Sequence, residues 1–219
     1  MIPPVRVAST RVAAAVACTV LCCLTAVSGD DAGDILKKLE RKYDSIKDIV
    51  VSFREQVHYG VTGSEQSFAG TMWMKKGNRY RIELEGQTIV TDGSSVWSYS
   101  KANNQVIIDR YKESPDSFSP DKILANAPSR FTAIILGKEQ IEHADATILK
   151  LTPKEKKSRL QWMKVWVNED DVIMKKIQLL DISDNLTTYL VGEIRFDGGI
   201  DEKQFVYDPP AGAEVVDLR

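Results

Sequence analysis

Phe68-Ala69-Gly70-Thr71-Met72-Trp73-Met74-Lys75-Lys76-Gly77-Asn78-Arg79-Tyr80-Arg81-Ile82-Glu83-Leu84 changes character at every second residue. Phe68, Gly70, Met72 and Met74 alternate with Ala69, Thr71, Trp73 and Lys75. Beyond Gly77-Asn78, Tyr80, Ile82 and Leu84 alternate with Arg79, Arg81 and Glu83. Successive side chains of a strand point to opposite faces, so a period of two broken by Gly-Asn reads as two antiparallel strands and a turn. The pattern continues on both sides. Gln87 to Thr91 and Ser94 to Ser100 flank Asp92-Gly93, a strong hairpin signal, and Gln105 to Asp109 follows an Asn-Asn turn. Ile49 to Tyr59 carries Val51, Phe53 and Val57 on one face and Ser52, Arg54 and Gln56 on the other. Thr147 to Leu151, Leu160 to Val167, Val172 to Asp181 and Leu186 to Phe196 continue the rhythm, and Glu214 to Leu218 closes it after Asp208-Pro209-Pro210-Ala211-Gly212. About eleven strands without long crossovers predict an antiparallel sheet, curved into an incomplete barrel.

Two regions break the strand rhythm. From Asp34, the residues Ile35, Leu36, Leu39, Tyr43 and Ile46 recur at spacings of three and four between charged residues, the pattern of an amphipathic helix. Ser114-Pro115 and Ser119-Pro120 are turns that suit helix starts. The spacing predicts short helices over Pro120 to Ala127 and Pro128 to Leu136, which makes residues 115–137 a helical insertion. Apolar stripes on these helices must be buried, and the mouth of the barrel is the economical place. The fold class expected is therefore mainly β (α+β), an incomplete antiparallel β-barrel with helices over its mouth, and these patterns leave open whether the barrel is filled or hollow.

The N-terminus reads differently. Arg6 and Arg11 precede an uncharged run from Val12 to Val27, which ends in the small residues Ala26-Val27-Ser28. This is the layout of a secretory signal peptide over residues 1–28, which leaves residues 29–219 as a single exported domain. An uncleaved anchor has less support, because the apolar run falls short of the roughly 20 residues of a comfortable span. A lipidated cysteine has less support too, because Cys22 and Cys23 do not follow a small-residue box. All three cysteines precede Gly29, so the mature chain has neither disulfide nor thiolate. Removing 1–28 takes away two arginines and no acid, so the net charge moves from −2 to −4. That balance argues against nucleic acid as a partner.

The sequence offers little for catalysis. His58 and His143 are far apart, and Glu142-His143-Ala144-Asp145 reads as a solvated turn, because no second His or Cys completes a metal site. No glycine-rich loop precedes a helix and no nucleophile elbow is present. The expectation is a protein that is not an enzyme and holds no cofactor or metal. What stands out instead is apolar strand surface, with Met72, Met74 and Met163 among it; methionine suits a cavity that adapts to flexible chains.

Three stretches together resemble one family. They are Gly70 to Arg81, Ile89-Val90-Thr91-Asp92-Gly93-Ser94-Ser95-Val96-Trp97-Ser98-Tyr99, and Phe205-Val206-Tyr207-Asp208-Pro209-Pro210-Ala211-Gly212-Ala213-Glu214-Val215-Val216-Asp217. With the order of signal peptide, opening helix, strands, helical insertion and strands, they look like the outer-membrane lipoprotein carrier family, LolA. The resemblance spans essentially all of the mature chain and implies an unclosed antiparallel β-barrel with an α-helical lid over a hydrophobic cavity. It implies a periplasmic carrier that takes lipid-modified proteins as cargo from an inner-membrane ABC transporter of the LolCDE type. It hands them to the outer membrane, usually through a LolB-type receptor, and a monomer is expected. It also implies roles for residues. Lys76 stands where the family often has an arginine that ties the lid shut through backbone hydrogen bonds, and an ammonium lacks the planar fork of arginine. Tyr80 matches an aromatic residue of the loop that docks the transporter. Leu39 matches the apolar residue of the first helix that faces the lid. Leu124, Phe131, Ile134 and Ile135 match lid residues, and Met72 and Met74 belong to the acyl-chain cavity.

Two rivals remain at this stage. One is a periplasmic lipid- or lipoprotein-sensing regulator on the same fold, with a carrier of another lipid as a close variant. Such regulators usually carry a second domain, for which this length leaves no room. The other is a hydrolase, which would need an acid, serine and histidine cluster that the sequence does not show.

Overall fold

The computed structural model describes residues 29–112 and 126–219. The expected signal peptide and residues 115–125 of the expected lid insertion, Leu124 among them, lie outside these residues. The chain opens with α1 (Gly29–Ser45) and continues through six strands: β1 (Asp48–His58), β2 (Glu65–Lys75), β3 (Arg79–Leu84), β4 (Gln87–Asp92), β5 (Ser95–Ser100) and β6 (Gln105–Arg110). After α2 (Ala127–Arg130) come β7 (Phe131–Ile141), β8 (Ala144–Pro153), β9 (Leu160–Asn168), β10 (Ile173–Asp181) and β11 (Leu186–Phe196). A 3-10 turn (Glu202–Phe205) leads to β12 (Glu214–Asp217).

All twelve strands form one sheet in the order β12-β6-β5-β4-β3-β2-β1-β11-β10-β9-β8-β7. The ends, β12 and β7, do not pair with each other, so the sheet is unclosed. Every pairing is antiparallel except β12 on β6, which is parallel. The sequence pattern missed that exception, because the last strand reaches β6 only after the chain has built β7 to β11.

The hairpins form where the turn chemistry asks for them. Asp92 Oδ1 accepts from the backbone N–H groups of Ser94 and Ser95. Gly93 has φ 93°, and a Cβ there would lie 2.5 Å from the Gly77 carbonyl oxygen. The β2–β3 and β4–β5 turns therefore touch at a point that only glycine tolerates.

One expected element is corrected. Phe131 to Leu136, read as the second lid helix, is the start of β7. It pairs with β8 from Phe131↔Pro153 to Ile141↔Ala144, with a bulge between Ile135 and Gly137. Only Ala127–Arg130 is helical there, with Pro128 in its first turn. A short apolar run does not distinguish helix from strand by period alone. Here Thr132, Ile134 and Ile135 are β-branched, and the tight Glu142-His143 turn brings the run back onto β8, which favours the strand.

The core fills the concave face. Ala32, Ile35, Leu36, Leu39 and Tyr43 of α1 are all buried, the whole apolar stripe that the helical period exposes on one side. They meet inner-face residues of the sheet that include Met72, Met74, Leu149, Met163, Val165 and Met174. The helix runs beside β7 and α2, so it covers that open edge of the sheet as well as part of its concavity. Among the described residues no helix is long and apolar enough to cross a membrane.

Candidate functional site

Helix α1 fills only part of the concavity. Beside its last turn lies a cavity of about 350 Å³, lined from β1, β2, β3, β4, β10 and β11. Ile49, Val51 and Phe53 run along β1, with Met72, Ile82 and Ile89 on one flank and Met174, Ile177, Val191 and Ile194 on the other. Tyr43 of α1 lines the same cavity and is 7% exposed. Its hydroxyl is pushed up to about 12 by burial, so it is a neutral group at any ordinary pH. Its ring meets Phe196 edge-on at 6.4 Å. A glycine helps to shape the space. Gly70 stands opposite both Phe53 and Leu84, and a Cβ there would lie 2.6 Å from the Leu84 side chain and 3.0 Å from the Phe53 ring. Any side chain at position 70 would collide with the cavity wall.

The polar groups of the cavity are few. Glu55 and Gln87 line it, and Glu55 is its one charged side chain among the described residues. The Tyr189 hydroxyl donates to Glu55 Oε1 at 2.8 Å, directly across the β1–β11 pair. Burial, followed by the neighbouring Glu55 charge, raises the Tyr189 hydroxyl far above its ordinary value, so it stays a donor. Such a wall can take up apolar chains. Among the described residues it offers no pair of nucleophile and base, and no group of three metal-ligating side chains.

The residues singled out in the sequence fall in different places. Met72 lines the cavity, whereas Met74, on the same face, is buried in the core beside it. Leu39 is fully buried under α1. Phe131 is buried and Ile135 packs against the core, but both project from β7 and not from a lid helix. Ile134 is a correction: it lies on the opposite face of β7, 48% exposed, and cannot reach the cavity. The reason is the period of the strand, since Phe131, Ala133 and Ile135 share one face and Ile134 takes the other. Tyr80 belongs to strand β3 and packs against the core, so it does not stand in a docking loop. Lys76, in the β2–β3 turn, donates its Nζ hydrogen to the Asp44 carbonyl oxygen at 2.5 Å. That oxygen is one of the unpaired carbonyls at the end of α1, where a cation also meets the negative end of the helix dipole.

Sequence reading missed Glu55, Tyr189 and the β10–β11 wall. A signal for Glu55 was available. It is in phase with Val51, Phe53 and Val57, an acid on an otherwise apolar face.

The chain is similar to known proteins in sequence and in fold. The family model for outer membrane lipoprotein carrier protein LolA matches residues 44–208. An outer-membrane lipoprotein carrier protein from Alkalilimnicola ehrlichii is 25% identical over 190 residues, covering 82% of each chain. An uncharacterized protein from Methanocaldococcus jannaschii is 24% identical over 189 residues; these make up 85% of this chain but 54% of that protein, so the chain spans about half the length of that relative. Among solved structures, an uncharacterized conserved protein from Thermus thermophilus superposes with a TM-score of 0.56 at 16% identity, over 85% of this chain and 99% of that one, a likeness of fold.

Proposed function

The chain belongs to the outer membrane lipoprotein carrier protein (LolA) family, and from that premise we propose that it is a periplasmic carrier which shelters the acyl chains of lipid-modified proteins. The cavity carries the reading: about 350 Å³ of almost wholly apolar wall in a protein whose concave face could have been packed shut. Each buried methylene contributes on the order of 0.8 kcal/mol, so acyl chains do not cross water bare. A carrier of this kind consumes nothing and transforms nothing. It receives its cargo from an inner-membrane ABC transporter of the LolCDE type and passes it to the outer membrane, with a LolB-type receptor as the acceptor where one is present. It does so as a monomer, and transfer runs downhill when the acceptor binds the chains more tightly. Lys76 serves as the latch that holds the end of α1 against the β2–β3 turn, and cargo shifts the population towards a state with α1 displaced.

The purified mature protein should bind a fluorescent apolar probe, and an acylated lipoprotein should displace it. The same polypeptide without acyl chains should not compete, and competition by it would sink the cavity reading.

A further inference from the structure

We propose that the outer end of this cavity is a recognition site for a cationic ammonium headgroup attached to the acylated ligand, with Glu55 as its counter-ion. The inference rests on the carrier reading and adds the polarity of the ligand to it. The inner face of β1 changes character along its length. Ile49 and Val51 are 3% and 6% exposed, Phe53 is half-buried, and Glu55 follows at the next in-phase position. Gln87, the other polar group at this end, is exposed. The cavity is thus apolar at depth and polar at its rim, the shape that fits an amphiphile with its chain inward and its head at Glu55.

The sign of the head follows from the charges. Among the described residues Glu55 is the one charged side chain of the lining, and Arg54 points to the opposite face of β1. Tyr189 holds Oε1, while Oε2 has no hydrogen-bond or ion-pair partner among the described residues. A carboxylate beside an apolar wall, with one oxygen already oriented and the other open, favours an ammonium donor and repels an anionic head. Two ligands carry this chemistry: the free α-amine of an amino-terminal cysteine bearing acyl chains, and a phospholipid with an ethanolamine head.

Displacement of an apolar probe from the full mature chain tests the site, with competitors of one chain length below their micellar concentrations. Dodecylamine should displace the probe at about tenfold lower concentration than N-acetyl-dodecylamine, and dodecanoate should be the weakest. Glu55→Gln keeps an acceptor for Tyr189 but removes the charge, so the amine and its acetyl derivative should become equal while the acetyl derivative itself is unchanged. Gln87→Lys, at an exposed rim position, should erase the preference for the amine without touching Glu55. Equal displacement in the unaltered protein, or a preference that survives both substitutions, overturns the proposal. Failure of every competitor and of the probe overturns the carrier reading, and this site with it. A diacylglyceryl-cysteine peptide against its N-acylated form, and lysophosphatidylethanolamine against lysophosphatidylglycerol, separate the two sources. Discrimination in the first pair assigns the amino terminus of a lipoprotein, discrimination only in the second assigns a phospholipid, and none in either overturns the site.

Discussion

Leu39 and Val191 mark the two things a side chain does on this concave face. Leu39 has no exposed surface and joins α1 to the sheet. Leu39→Ala should cost about 2–5 kcal/mol in chemical denaturation, the usual penalty for a core cavity. Leu39→Glu would bury a charge without a partner and unfold the protein before it tested cargo uptake. Val191, by contrast, borders space. Val191→Phe should lower probe binding several-fold, with a stability change of no more than about 1–3 kcal/mol. Full probe binding in that variant would place the bound chain elsewhere. At this scale the sequence was half legible. The alternation that put Val51, Phe53 and Met72 on one face is local, whereas the facing wall of Met174, Ile177 and Val191 comes from strands more than a hundred residues away.

Two elements beyond the hairpins decide the shape. One is β7, whose first six residues, all apolar or β-branched, carry the same composition as a buried helix. Its state was fixed by a partner, β8, and not by its own period. The other is the segment after β11. Phe205 is 1% exposed where the 3-10 turn meets β3 and β4, and the Arg79 guanidinium lies over its ring. Lys75 and Arg79 both reach Glu202 at 2.6 Å. Hydrogen bonds from Lys75 and then Arg79 hold the Glu202 carboxyl below its ordinary value. A depressed carboxylate stabilises the folded form fully above the unfolded value of about 4.3, and this contribution fades as the pH falls through the lower folded value. Amide exchange over residues 200–206 should therefore quicken, relative to the rest of the sheet, as the pH falls below about 4. In Glu202→Gln that acid-dependent change should be absent. Phe205→Ala should loosen the same segment at every pH, at a cost of about 3–5 kcal/mol.

For the whole molecule, the balance between α1 on the sheet and α1 displaced sets the affinity. With α1 in place the cavity measures about 350 Å³, so a ligand with two long chains needs the helix to move. Lys76→Met removes the hydrogen bond to Asp44 and leaves the cavity wall unaltered. If the latch holds the closed state, this change raises the competent fraction and tightens the apparent affinity for a diacylated ligand several-fold. An unchanged affinity, read by probe displacement, would reduce Lys76 to a surface contact. The open edges belong to this scale as well. β7 is sheltered by α1 and α2, and β12 is only four residues long, which leaves little edge for another chain to extend.

The sequence by itself determined the strand rhythm, the opening helix with its buried stripe, and the turns at Gly77-Asn78 and Asp92-Gly93. Each rests on neighbours a few residues apart, and local periodicity and turn chemistry are sufficient for it. Only the tertiary structure decided that Phe131 to Ile141 is a strand, that the last strand returns parallel to β6, and that Ile134 faces away from the cavity. Only it decided, too, that α1 leaves a space with Glu55 at its rim. Those outcomes depend on which distant strand each segment pairs with and on how much of a curved face one helix can fill, and no local pattern carries that information.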